Sequence, residues 1–263
     1  MEEFMQIIID HEKCTGCGSC VAECLQHILV LRDGKANVTQ DRCLKCGHCV
    51  AICPAGAVHM EGVEDVILEK SAVAQELDTE TLMAHLRLRR SIRRYLDIPV
   101  DKGDIEKIIE AGRITPTGSN RQNVRYIVVQ HGIDALEDEV LAQYEEEFAS
   151  QARAAGAQPD DTGKSNFKRG FLFHGAPALI LVVSESVTNA CLASMSMELM
   201  AETLGLGTLY IGLFTRPANQ NKALRESLGV AEGEDIAVCL AIGHPAVTFL
   251  RSAPRKPANV IWR

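Results

Sequence analysis

Four cysteines crowd into "CTGCGSCVAEC" at residues 14–24, and the run returns 29 positions later as "CLKCGHCVAIC" at 43–53. Each copy is spaced C-x2-C-x2-C-x3-C, so Cys14, Cys17, Cys20 and Cys24 map onto Cys43, Cys46, Cys49 and Cys53. Eight of the ten cysteines in this 263-residue chain thus lie in its first fifth, as an internal repeat. So small a segment buries too little apolar surface to fold alone, and its thiols must help hold it together. Disulfides, zinc or iron–sulfur clusters could use them. The opening "MEEFMQIIID" is acidic and lacks the basic start and apolar stretch of an export signal. A reducing, cytoplasmic setting is therefore expected, which disfavours disulfides. Zinc sites usually separate their ligand pairs by a longer loop. Iron–sulfur ligation fits best, with zinc as the alternative.

With Pro54 after its last cysteine, the pattern resembles the bacterial two-cluster ferredoxins, in which the fourth cysteine of each run ligates the other cluster. The resemblance implies two 4Fe–4S clusters. One would be held by Cys14, Cys17, Cys20 and Cys53, the other by Cys24, Cys43, Cys46 and Cys49. Gly16, Gly18, Ser19 and Gly47 are small enough to bring backbone N–H groups towards cluster sulfurs. The chain departs from the pattern at Leu25, where proline is common, but no ligand is affected.

Length suggests two domains: a ferredoxin-like domain over 1–62, an acidic linker over 63–84, and a larger domain over 85–263. The formal net charge of −8 argues against nonspecific nucleic-acid binding. No window approaches the ~20 apolar residues of a membrane-spanning helix. Residues 61–80 carry seven acids against one lysine, and their apolar Val66, Ile67 and Leu68 are expected to dock. In "TLMAHLRLRRSIRRY" (81–95), Leu82, Leu86 and Ile92 suit one helix face, with Asp78 or Thr79 as cap. Its arginines, Arg87, Arg89, Arg90, Arg93 and Arg94, fit either a solvated surface or an anion site; the acidic neighbourhood disfavours a nucleic-acid patch, and guanidinium forks match phosphate oxygens.

Further along, Asp101 can cap a helix with Ile105, Ile108 and Ile109 on its apolar face, followed near Gly112 by a turn-rich loop. Residues 126–130 read as a strand, 134–155 as a charged helix and 174–183 as a buried strand. An apolar helix, a Gly-x-Gly turn and a loop occupy 193–214. A last strand covers 236–245 and a basic tail 253–257.

This order resembles the nitroreductase family of FMN enzymes over nearly all of residues 86–257. The resemblance implies an α+β fold with a central, mostly antiparallel sheet flanked by helices. It also implies a homodimer with FMN bound by Arg89, Arg90, Ser91 and Arg93, by Thr117, Asn120 and Gln122 of the next loop, by Tyr210, Ile211 and Gly212, and by Arg255. The chain departs from the family's Gln-Pro-Trp at Gln122-Asn123-Val124. The expected activity is reduction of a small organic acceptor (nitroaromatic, quinone or enone), with reduced ferredoxin or NAD(P)H as donor. An electron-transfer or redox-sensing protein without small-molecule turnover is the alternative. No catalytic acid stands out. His174, His244, the methionines 195, 197 and 200, and Cys191 and Cys239 read as packing or turn residues, the two cysteines as buried thiols, and Glu145, Glu146 and Glu147 as a solvated helical face.

Overall fold

The computed structural model describes residues 7–40, 42–62, 65–73, 77–154 and 168–263, except for the side chains of 152 and 153. The chain forms two compact units. One comprises residues 1–76 with 117–121, the other 77–116 with 122–263.

In the first unit, strand β1 (Ile7–Ile9) pairs antiparallel with β4 (Val58–Met60), and β2 (Leu29–Arg32) with β3 (Lys35–Val38). Asp33 and Gly34, both at positive φ, turn the β2–β3 hairpin in two residues. The cysteine repeat is a structural repeat as well. Helix α1 (Ser19–Glu23) begins after left-handed Gly18, and α2 (His48–Ala51) after left-handed Gly47. The matched pair Gly16 and Lys45 are also both left-handed, with φ of 70° and 55°. A Cβ at Gly16 would stand 2.0 Å from the Gly34 carbonyl oxygen, so only glycine fits there. The small core joins Ile28, Leu29, Ala36, Ala57 and Val58 to Cys14 and Cys20.

The second unit is built on a four-stranded sheet, ordered β5 (Arg125–Val129), β6 (Ala178–Ser184), β8 (Asp235–Gly243), β7 (Gly207–Tyr210), with every pairing antiparallel. Strand β6 is buried along its whole length, which explains its unbroken apolar run. Alternate residues serve opposite faces. Leu179, Leu181 and Val183 pack with residues of α5 (Ile133–Ala154), α7 (Gly212–Gln220) and α8 (Lys222–Ser227). Ala178, Ile180 and Val182 pack with residues of α4 (Lys102–Arg113) and α6 (Val187–Thr203). Asp101 caps α4 by accepting from the Gly103 N–H at 2.7 Å, as its sequence position suggests.

Four sequence expectations change. The helix α3 (Thr79–Leu88), capped by Asp78, stops before the arginine segment, so Ile92 is not on its face. Ile92 is buried instead beside β7, its N–H donating to the Thr208 carbonyl at 2.9 Å. The segment after the Gly-Leu-Gly turn is a strand rather than a loop. Val66, Ile67 and Leu68 are exposed, and so is Cys191; Cys239 is buried as expected. Residue 155, the last of the expected charged helix, lies outside the described residues.

Candidate functional site

The fold of the first unit gathers its cysteines into two groups of four that cross the repeat. Cys14, Cys17, Cys20 and Cys53 line one small cavity. Cys24, Cys43, Cys46 and Cys49 line another. Backbone amides point at three of the sulfurs: Ala36 N–H at Cys14 Sγ (3.4 Å), Ala57 N–H at Cys53 Sγ (3.2 Å) and Lys45 N–H at Cys43 Sγ (3.3 Å). Burial, then the neighbouring Cys53 and Cys14, raises the Cys20 thiol. Burial, reinforced by Cys43 and Cys46, pushes Cys49 up to about 11. Crowded thiols of this kind ionise only around a compensating cation. Among the described residues no three His, Cys, Asp or Glu side chains converge on one ion position. Four soft sulfurs around a cavity, with amides aimed at them, suit an iron–sulfur cluster better than a single ion.

In the second unit, residues 89–95 leave α3 and run beside β7, and the approach is tight. A Cβ at Gly207 would meet Ile92 Cγ1 at 2.3 Å, which is why glycine starts this strand. The closeness sets Arg89 against α6. Its Nη1 donates to Glu198 Oε1 at 2.7 Å, and the Thr208 hydroxyl donates to the same oxygen at 3.1 Å. Glu198 is only 3% exposed. Partial burial, then the Glu198 charge, raises the Tyr210 phenol well above its usual range. Arg89, Arg90, Ile92, Glu198 and Thr208 border an open cleft of about 760 Å³. Arg90 Nη1 donates to the Arg89 carbonyl, whereas its Nη2 is buried without a partner among the described residues. A buried cationic donor of this kind calls for an acceptor, and a phosphate oxygen meets that need. The residues therefore fit a phosphate-bearing cofactor.

The other expected flavin residues lie on several elements. Ser91 is half-buried and Arg93 exposed. Tyr210 ends β7, Ile211 is buried with its N–H on the Cys239 carbonyl, and Gly212 opens α7 facing open space. Gln122 is exposed in the second unit, and Arg255 is exposed in the C-terminal coil. Thr117 and Asn120 belong to the first unit, where Asn120 Nδ2 donates to the carbonyls of Lys45 (2.7 Å) and Leu44 (3.4 Å).

Sequence reasoning missed Glu198 and Thr208. An acid flanked by apolar residues in "SMSMELMA" was the available signal, since a buried carboxylate requires partners. His174 has its pKa lowered, first by burial and then by the Arg93 charge, with Glu137 opposing.

Residues 86–244 match the nitroreductase family, and residues 6–54 match the 4Fe-4S dicluster domain. A protein of Archaeoglobus fulgidus described as an NADH dehydrogenase/NAD(P)H nitroreductase is 27% identical over 176 residues, 63% of this chain and 86% of its own. The NADPH-flavin oxidoreductase of Vibrio harveyi is 28% identical over 185 residues, 69% of this chain and 71% of its own. In fold, the chain is similar to the FMN-bound nitroreductase structure from Bacteroides fragilis. The TM-score is 0.56 at 22% identity, covering 69% of this chain and 98% of that one.

Proposed function

The chain belongs to the nitroreductase family, and from that premise we propose that it is an FMN-dependent oxidoreductase reducing a small organic acceptor, with electrons supplied through two 4Fe–4S clusters. The observation that carries this reading is the crossed grouping of thiols in a chain that also has the nitroreductase fold. Cys14, Cys17, Cys20 and Cys53 surround one cavity, and Cys24, Cys43, Cys46 and Cys49 the other. When bound, the clusters supply one-electron chemistry and the flavin two-electron chemistry, so the combination suits reduction of a nitroaromatic, quinone or enone.

The protein's part is binding and electrostatics. Arg90 would offer the phosphate its Nη2, which has no partner among the described residues, and Glu198 holds Arg89 at the same cleft. Ser91, Arg93, Thr117, Asn120, Gln122, Tyr210, Ile211, Gly212 and Arg255 complete the proposed flavin set. Arg93 brings a positive charge that favours an anionic reduced ring. In this reading residues 1–62 form the ferredoxin-like domain, 63–84 the connection and 85–263 the flavin domain, and two chains pair as a homodimer in the cytoplasm. No helix among the described residues is long and apolar enough to cross a membrane.

The test begins with anaerobic purification, which should give about eight irons and one FMN per chain. Stopped-flow reduction with NADH, NADPH or reduced ferredoxin then identifies the donor, and nitroaromatics, quinones and enones are tried as acceptors. Zinc in place of iron, or no acceptor outrunning buffer reoxidation, would overturn the proposal. The second result would leave an electron-transfer or sensing protein.

A further inference from the structure

The two copies of the cysteine repeat meet the same backbone demand differently. The third residue of each run is left-handed, and the first copy places Gly16 there. Glycine takes that conformation without steric cost. The second copy places Lys45, at φ 55°, where an L side chain is strained. A residue 75 positions further along meets this turn. Asn120 Nδ2 donates to the Lys45 carbonyl at 2.7 Å and spans the adjacent Leu44 carbonyl at 3.4 Å. Asn120 is itself left-handed at φ 51°, as is Ser119 before it, so the donor loop is tightly turned.

The Leu44 carbonyl and the Lys45 N–H are the two ends of one peptide unit. That N–H donates to Cys43 Sγ at 3.3 Å. The chain of donors therefore runs from the Asn120 amide, through the 44–45 peptide, to a cysteine sulfur. Hydrogen bonds in series polarise one another. Donors to cluster sulfurs are among the features that set a cluster's potential, because they stabilise the more negative, reduced state.

We propose that Asn120 is a positioning residue for the cluster of Cys24, Cys43, Cys46 and Cys49: it holds Lys45 in its left-handed turn and strengthens the amide that Cys43 receives. Through it the second cluster gains a tuning contact from a distant stretch of chain, whereas the first copy meets the same demand with glycine. The inference rests on these four thiols holding a cluster, as proposed above.

The experiment uses the full chain, loaded anaerobically with iron and sulfide, and reads both cluster midpoints by EPR-monitored redox titration. Iron release to a chelator is followed in parallel. Asn120→Ala should lower one midpoint and leave the other unchanged. The reduction equilibrium of that cluster should fall by up to about tenfold, or ~59 mV for a one-electron couple. Half of the iron should also leave faster. Adding Lys45→Gly relieves the strained turn, so the double variant should regain slow iron release without regaining the midpoint. If Asn120→Ala alone cannot keep its cluster, the midpoint is read from the double variant. Two unchanged midpoints, or both shifting together, would overturn the proposal while leaving the cluster reading intact. A wild-type chain that takes up no iron would overturn the cluster reading and the proposal with it.

Discussion

The Arg89–Glu198 pair makes an asymmetric prediction whose size follows from burial. The Glu198 side chain is 4% exposed and the Arg89 side chain 23%, so removing the arginine strands a buried carboxylate. Breaking such a pair costs about 3–5 kcal/mol. Arg89→Met should therefore lose about 3–5 kcal/mol at pH 7. Adding Glu198→Gln replaces the stranded charge with a neutral amide, whose unmet hydrogen bonds cost about 1–2 kcal/mol. The double variant should then be roughly 2 kcal/mol more stable than Arg89→Met. Both variants lack Arg89, so any loss of flavin affinity is common to them and cancels. Urea unfolding of the full chain at pH 7, followed by far-UV circular dichroism, gives the comparison. A double variant no more stable than Arg89→Met at pH 7 would refute the argument.

Gly16→Ala should prevent loading of the first cluster and leave about four irons per chain, since its Cβ would overlap the Gly34 carbonyl; near-normal iron would refute this close approach. Cys46→Ser should abolish ferredoxin-driven turnover while FMN remains chemically reducible, and equal loss in both assays would count against the relay. Burial, then the Arg93 charge, holds the His174 pKa below the ordinary histidine value of 6.5, so its contribution is present above 6.5 and lost as pH falls towards the folded value. His174→Gln should therefore flatten the decline in unfolding midpoint between pH 7 and 5; an unchanged slope would exclude His174 as a source.

Several features of the fold were legible in the residues alone. The crossed thiol grouping was expected from the ferredoxin pattern, and the cavities reproduce it. Asp101 announced the helix it caps, and the apolar run at 178–183 announced a strand buried on both faces. Periodicity failed at residues 89–95. Ile92 lies six residues after Leu86, off the i+3 and i+4 spacings of one helix face, and its backbone hydrogen bond goes to Thr208. The expected docking of Val66, Ile67 and Leu68 failed for a related reason, because apolar composition names no partner surface.

The thiol chemistry is written in the residues alone, because cluster ligation depends on short, repeated spacings around turns of a few residues. The residues also carry the order of helices and strands, through caps and alternation. The polar groups that complete each site are set by long-range packing. Arg89 meets Glu198 across 109 residues, and Asn120 meets Lys45 across 75. Over such separations the chain has no periodic signal. The partner is chosen by where packing of the sheet, the helices and the cysteine loops brings a buried charge or a strained carbonyl within hydrogen-bonding reach.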